Sequence, residues 1–156
     1  MSIPTTLQQY LDQTGIKYDV LPHAYASTSL DTAEASGISG EKIAKSVILE
    51  DDKGYLMAVI PATHHIELGR LDQQLHRHLG LATEKELSDL FTDCEFGAIP
   101  PVGQAYGMDV VLEDCLSDCP DIYFESGDHT DLIHMRGEDF QRLMRGAGHG
   151  QFSRHI

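Results

Sequence analysis

The sequence contains few cysteines, no long apolar run and little positive charge. Its three cysteines in 156 residues are a small and odd number, which indicates reduced thiols rather than a disulfide framework and favours the cytoplasm. No stretch approaches the ~20 consecutive apolar residues of a membrane-spanning helix, so no membrane association is expected. The N-terminal segment MSIPTTLQQYLDQTG lacks a basic region and an apolar core, so we predict no signal peptide.

The shortage of positive charge argues against a large nucleic-acid interface. Lysine and arginine number 11 against 25 acidic residues, and the formal net charge is −14. Proteins that bind nucleic acid over a long surface usually carry a basic patch, because displaced counterions supply much of the affinity. We therefore expect no DNA binding. If the protein contacts another polyanion, we expect only one or two cationic side chains to take part.

Length and composition are those of one globular domain. A hydrophobic fraction of 41% and a charged fraction of 23% are ordinary, and such a chain can bury roughly two thirds of its unfolded surface. We predict a domain over residues 1–146 and a flexible tail over 147–156, where glycine and histidine are frequent.

Helix and strand signals alternate along the chain. Thr6 opens a capping box for a helix that Gly15 can end, and a second capping box begins at Thr83. Leucines spaced three and four apart predict an amphipathic helix over 67–79, and apolar runs around 51–54 predict a hairpin. Further strands are expected over 17–21, 109–112, 122–125 and 132–135, and helices over 30–36, 40–44 and 138–144. Since several strands form hairpins between helices, the pattern predicts an α+β fold with a mixed sheet.

Lys45 is the first residue with chemical potential. It follows a predicted short helix and precedes the apolar strand residues Val47, Ile48 and Leu49. Beside a cleft, its ammonium group could hold a phosphate or polarise a carbonyl. The alternative is a surface lysine at a helix C-terminus, favoured by the helix dipole.

The loop Gly97–Pro101 is the second candidate. Gly97 permits a close backbone approach, and the two prolines stiffen the turn that follows. The amides of Gly97, Ala98 and Ile99 could point at an oxyanion or fix a water molecule. A plain connection between strands is the alternative.

The turn Ser126–His129 holds serine, aspartate and histidine within four positions. We do not predict a catalytic triad, because triad members converge in space and close sequence neighbours rarely can. Gly127 indicates a turn with positive φ, and contact of this turn with a ligand is the alternative.

The nine histidines do not form a recognisable metal motif. His64 and His65 are adjacent, so on a strand they point to opposite faces. There is no HExxH and no paired CxxC, and no cysteine has basic neighbours that would lower its pKa. We predict neither a metal site nor a cysteine nucleophile.

The order and spacing of these segments resemble the YbaK/ProRS-associated editing domain family over most of the chain. The passage EKIAKSVIL, the loop CEFGAIPPVG and the segment DIYFESGDHTDLIHMRGEDFQRL carry the resemblance. It implies an α+β fold whose mixed, barrel-like β-sheet is flanked by helices. It also implies a hydrolase, without metal or organic cofactor, that cleaves the ester between a wrong amino acid and tRNA. The expected partners are the aminoacylated 3′ end of a tRNA and an aminoacyl-tRNA synthetase or other tRNA-delivering protein.

The resemblance also implies site residues. Lys45 would contact the terminal adenosine or the carbonyl group of the substrate, and the loop amides would orient water or the developing oxyanion. We therefore expect a catalytic set of Lys45, Gly97, Ala98 and Pro101, and a substrate-binding set of Thr28, Ser46, Val47, Ile60, Gly127 and His129.

Three functions are compatible with these features. The first is a trans-acting aminoacyl-tRNA deacylase in translation quality control. The second is a non-catalytic binding or regulatory module on the same fold, which the acidic surface and the unusual His64-His65 pair favour. The third is a small-molecule ester or thioester hydrolase. The position of Lys45 relative to Gly97 and Gly127 discriminates between them, because a lysine in open solvent would favour the binding module.

Overall fold

The predicted hairpin lies at the centre of the largest sheet in the computed structural model, which describes residues 3–156. Its strands, β2 (Ala44–Asp51) and β3 (Gly54–Pro61), are antiparallel along their whole length. The short strand β5 (Gly80–Leu81) pairs antiparallel with β2 on one side. On the other side, β6 (Asp109–Glu113) pairs parallel with β3, and β9 (Gly148–Gly150) pairs parallel with β6. The sheet is therefore mixed, as the sequence predicts.

A second sheet contains β1 (Asp19–Pro22), β8 (Asp131–Arg136) and β7 (Asp121–Glu125), in that order and all antiparallel. A parallel bridge between Ile43 and Tyr123 joins β7 to the chain immediately before β2. This bridge brings the start of the long hairpin beside the second sheet, although the two segments are far apart in sequence.

Strand β3 is apolar on both faces because it separates two hydrophobic clusters. Met57 and Val59 belong to the larger cluster, whereas Leu56, Ala58 and Ile60 belong to the smaller one. Successive side chains of a strand point to opposite faces, so this division follows from the strand period. The sequence of a central strand that is covered on both faces is an unbroken run of apolar residues rather than an alternation of apolar and polar residues.

Within the described residues, five α-helices flank the sheets: α1 (Thr5–Thr14), α2 (Ser29–Ser36), α3 (Leu68–Leu75), α4 (Glu84–Leu90) and α5 (Gly137–Leu143). The capping box of α4 is confirmed: Thr83 Oγ1 accepts from the Glu86 amide, and Glu86 Oε1 accepts from the Thr83 amide. The predicted capping box at Thr6 is wrong, because α1 begins at Thr5 and the Thr6 amide donates to Asp93 Oδ2 at 3.2 Å. The α+β class with a mixed sheet is confirmed.

The predicted helix over 67–79 is too long. Helix α3 ends at Leu75, because His76 adopts a left-handed conformation with φ of 54°. The Asp72 carboxylate accepts from the Leu79 amide at 3.0 Å, and this bond stabilises the reversal of the chain. Leu79 reaches the core after the turn instead of continuing the leucine stripe of the helix.

Residues 147–156, for which the sequence predicts a flexible tail after a domain boundary at 146, contain two short strands and a core side chain. Strand β10 (Ser153–His155) pairs with β4 (His64–Ile66), and the Phe152 side chain is completely buried in the smaller core cluster. The buried Glu113 carboxylate accepts from the amides of Phe152 and Ser153 at 3.0 and 2.9 Å. The C-terminal segment is therefore part of the packed domain. Within residues 3–156, no helix is long and apolar enough to cross a membrane.

Candidate active site

A cavity of about 570 Å³ lies where the start of β2 meets the second sheet. Its walls come from the segment that enters α2, the first half of β2, helix α4, the loop after α4 and the end of β7. The lining residues are Ser27, Thr28, Ser29, Leu30, Ala44, Lys45, Ser46, Val47, Ile48, Leu81, Ala82, Glu84, Leu87, Phe96, Gly97, Ile99 and Glu125. A volume of this size is within the range of small-ligand sites.

Lys45 lies in this cavity, so the surface alternative is wrong. It is the second residue of β2 rather than the end of a helix, since the short 3₁₀ turn before it spans only Gly40–Lys42. The side chain is half-buried, and burial lowers the pKa of its ammonium group. Nζ donates one hydrogen bond to the Ala62 carbonyl at 3.2 Å. An ammonium group has three donors, so two can point at a ligand.

Ser46, Val47 and Thr28, which we expect to bind substrate, also line the cavity. Ser46 Oγ donates to the Ile99 carbonyl at 2.9 Å and thereby attaches the glycine-containing loop to β2. Thr28 is the N-cap of α2, where its hydroxyl accepts from the Asp31 amide at 3.1 Å. Two of these three residues therefore hold the wall in place by bonds to the protein itself.

The loop contributes Gly97 and Ile99 to the cavity, whereas Ala98 and Pro101 are buried behind it. The Ala98 amide donates to the Glu95 carbonyl at 3.1 Å, so it is not free to bind a ligand. The amides of Gly97 and Ile99 have no hydrogen-bond acceptor among residues 3–156. Gly97 has φ of 84°, and a Cβ there would lie 3.2 Å from the Ser27 carbonyl oxygen.

Three predicted substrate-binding residues do not line the cavity. Ile60 is completely buried in the smaller core cluster. Gly127 packs against Pro4, and its carbonyl accepts from the Glu95 amide at 2.7 Å. His129 is buried beneath the loop, where its Nε2 donates to the Phe96 carbonyl at 2.6 Å. Gly127 and His129 therefore support the loop from behind.

The turn around Gly127 does not form a triad. Ser126 Oγ donates to Asp128 Oδ1 at 3.2 Å, and the same oxygen accepts from the amides of Thr130 and Asp131. These bonds close the turn on itself. The His129 ring points away from them to the Phe96 carbonyl, as expected for near neighbours in sequence.

Sequence reasoning missed Glu125, which lines the cavity at the end of β7. Its side chain is only 7% exposed, and burial raises the pKa of its carboxyl group, against the opposing effects of Thr32 and His23. Oε1 accepts from Thr32 Oγ1 at 2.8 Å and lies 3.0 Å from His23 Nε2. The available signal was an acid at the end of the apolar strand 122–125, since buried acids are rare unless they are partnered or functional.

The cysteines carry no sign of activation. Burial is the main cause that raises the pKa of the Cys94 thiol to about 12 and that of the Cys115 thiol to about 11. A thiol in this state is a poor nucleophile at neutral pH. No group of three or more histidine, cysteine or acidic side chains in the described part of the chain is arranged to hold a metal ion.

The sequence profile of the aminoacyl-tRNA editing domain family matches residues 23–143, a range that contains every residue of the cavity wall. The chain belongs to this family, which confirms the resemblance drawn from the sequence. No curated protein sequence matches the chain significantly.

Solved structures show the same fold. A hypothetical protein is 20% identical with a TM-score of 0.84, and the alignment covers 96% of this chain and 99% of that one. A proposed trans-editing enzyme for prolyl-tRNA synthetase is 24% identical with a TM-score of 0.81, and the alignment covers 96% of this chain and 95% of that one. A proposed signal transduction protein from Marinobacter aquaeolei VT8 is 21% identical with a TM-score of 0.76, and the alignment covers 97% of this chain but 31% of that longer one.

Proposed function

We propose that the protein is a trans-acting aminoacyl-tRNA deacylase, which hydrolyses the ester of a mischarged tRNA in the cytoplasm. The observation that carries this proposal is one cavity that combines the Lys45 ammonium group with the amides of Gly97 and Ile99, which have no acceptor among residues 3–156. The cavity residues all lie within the part of the chain that matches the editing family. A small site of this kind suits the aminoacylated 3′ end rather than the body of a tRNA.

The two kinds of donor have complementary tasks in ester hydrolysis. Water attacks the carbonyl carbon, the bond to the ribose oxygen breaks, and that oxygen leaves with a proton as a hydroxyl group. Amides that point at the developing oxyanion stabilise it, and one such donor is typically worth ~10²–10³ in rate. Lys45, with two donors left, can hold the carbonyl oxygen or a phosphate of the terminal nucleotide.

Editing also has a physical rationale. A synthetase pocket separates amino acids that differ by one methylene by only about 1–3 kcal/mol, so a second hydrolytic site adds fidelity. An ester needs little activation, and correct positioning supplies much of the remaining barrier reduction. With a net charge of −14, the protein is a poor match for a tRNA body, so delivery by a synthetase or another tRNA-binding protein fits the proposal.

The test is a deacylation screen against correctly and incorrectly charged tRNAs, with and without the matching synthetase. Wild type and Lys53→Ala should hydrolyse one mischarged tRNA, and Lys45→Ala should lose at least roughly 10²-fold of that rate. Lys53→Ala is the matched control because it removes the same charge from an exposed position in the hairpin turn. Absence of hydrolysis with every tRNA would contradict the proposal and favour a binding module. Hydrolysis of simple esters without tRNA would favour the small-molecule enzyme.

A further inference from the structure

One carboxylate oxygen of Glu125 has no hydrogen-bond partner in the part of the chain that the structure describes. Thr32 and His23 both lie on Oε1, whereas Oε2 is buried and has no hydrogen-bond partner among residues 3–156. Burying an unpaired carboxylate oxygen is costly, and native proteins rarely do so without a functional reason. Glu125 also forms part of the cavity wall, and a turn of its buried carboxylate towards the cavity would let a ligand supply the missing donor.

The position of His23 leaves Oε2 free to accept. His23 Nδ1 lies 2.7 Å from the Ala24 carbonyl, and a carbonyl only accepts, so Nδ1 is a donor in this contact. His23 Nε2 lies 3.0 Å from Glu125 Oε1, and neither this contact nor the hydrogen bond from Thr32 occupies Oε2. An ionised carboxylate has acceptors only, so Glu125 in that state offers Oε2 to a cationic donor.

We propose that Glu125 Oε2 binds the free α-ammonium group of the aminoacyl ester, so that the site selects aminoacyl esters and discriminates against those whose amine is blocked or absent. This inference rests on the deacylase function proposed above. It makes Glu125 a substrate-binding residue and adds a requirement that concerns the amine rather than the side chain of the amino acid.

The distribution of charge in the cavity supports this assignment. The charged side chains of its wall are Lys45, Glu84 and Glu125, and Glu84 is exposed. Lys45 repels an ammonium group and attracts the carbonyl oxygen or phosphate, so the cationic end of the substrate is directed to Glu125. A hydrogen bond between an ammonium group and a carboxylate is charge-assisted and roughly twice as strong as a neutral one.

The experiment compares three substrates on the tRNA that the wild-type enzyme hydrolyses best: the aminoacyl ester, its N-acetyl form and the corresponding α-hydroxyacyl ester. The hydroxyacyl ester replaces the ammonium group with a hydroxyl group of similar size, which separates charge recognition from steric exclusion. Wild type should prefer the aminoacyl ester over the hydroxyacyl ester by roughly 10–100-fold, the usual effect of one hydrogen bond to a charged group. Glu125→Gln should slow hydrolysis of the aminoacyl ester alone, so that the ratio of the two hydrolysis rates falls to nearly one.

Glu34→Gln is the matched control, since it removes the same charge from an exposed position of α2 outside the cavity wall and should retain the preference. Glu125→Asp, with a shorter carboxylate, should give an intermediate preference, and thermal unfolding checks that both Glu125 variants fold. Equal wild-type rates for aminoacyl and hydroxyacyl esters would overturn the inference while leaving the deacylase proposal intact. An unchanged preference in Glu125→Gln would overturn it as well.

Binding provides a readout that does not depend on hydrolysis. A stable 3′-amide analogue of an aminoacyl adenosine, with its free amine or with hydrogen in place of the amine, can be titrated by calorimetry. Tighter binding of the amine by wild type, lost in Glu125→Gln, supports the inference even if no tRNA is hydrolysed. Equal binding of the two analogues contradicts it.

Discussion

The imidazole Nε2 of His129 donates to the backbone carbonyl of Phe96 at 2.6 Å, and this bond connects the turn after β7 to the loop that carries Gly97. The backbone of His129 has a φ of 64°, a conformation that residues other than glycine adopt at an energetic cost. The ring also packs against Tyr25, with centroids 5.4 Å apart. This bond thus holds the loop at the residue immediately before Gly97.

His129→Ala should lower kcat roughly 10²-fold with a smaller effect on KM, because the loop loses its support while the cavity wall is retained. The free energy of unfolding should fall by about 1 kcal/mol for the lost hydrogen bond. Steady-state deacylation kinetics and urea unfolding measure both quantities. His76→Ala is the control, since His76 is exposed and also has positive φ, at 54°. A similar loss of kcat in both variants would show that backbone strain, rather than loop support, is responsible.

Gly97→Ala should lose activity, because a Cβ would lie 3.2 Å from both the Ser27 carbonyl oxygen and His129 Cε1. The loop must shift to accept it, and the amides move with the loop. Gly107→Ala is the matched control: its φ of 67° is similarly unfavourable, but no atom lies within 4 Å of the added carbon. Both variants should lose about 1–2 kcal/mol of stability for the left-handed conformation. Full activity of Gly97→Ala would contradict the assigned role of this loop.

Phe152→Ala should destabilise the protein by about 3–5 kcal/mol, because the ring is completely buried against the smaller cluster of the sheet. Phe96→Ala, which removes an equal side chain that is 58% exposed, should change stability far less. Urea unfolding of the two variants gives the comparison. Truncation after residue 146 should be at least as destabilising as Phe152→Ala, whereas a flexible tail would make it neutral.

The Asp51–Arg77 pair makes part of the stability dependent on pH. Arg77 Nε and Nη2 both donate to the Asp51 carboxylate at 2.7 Å, and these bonds are the main cause that lowers the pKa of Asp51 from 3.8 to about 2. Since the pKa of Asp51 is lower in the folded state, the ion pair makes its full contribution to the free energy of unfolding above about pH 4. That contribution is lost as pH falls towards about 2. Arg77→Gln should therefore have a lower free energy of unfolding than wild type near neutral pH. The difference between the two free energies should decrease as pH falls from about 4 to about 2.

Urea unfolding at a series of pH values tests this dependence. Arg70→Gln is the control, because Arg70 pairs with Glu67 at an exposed position where such bridges contribute little. A constant difference between wild type and Arg77→Gln from neutral to acidic pH would contradict the prediction.

Several features of the fold were predictable because they depend on short stretches of sequence. The Thr83 capping box, the helix end at Gly15 and the hairpin around 51–54 each need only a few neighbouring residues. The apolar run that forms β3 also predicted a strand of this hairpin. Local propensity and strand period are sufficient for such assignments.

The errors arose where distant segments decide the outcome. The glycine-rich segment 147–156 has a weak local preference for strand, yet Phe152 is buried because β4 and Glu113 provide partners for its backbone. The leucine stripe of α3 continues in the sequence beyond the real end of the helix at His76. Periodicity does not report a chain reversal that a side chain such as Asp72 stabilises from within the helix.

The sequence by itself determined the class of fold, the family and two elements of the cavity, Lys45 and Gly97, because their local signals and family spacing are visible in the chain. Only the tertiary structure decided which face each turn residue presents. It placed His129 beneath the loop and Glu125 in the cavity wall, through strand pairings such as the Ile43–Tyr123 bridge. Burial, hydrogen-bond partners and the resulting pKa of a carboxyl group are properties of the surroundings in space, which neighbours in sequence do not specify.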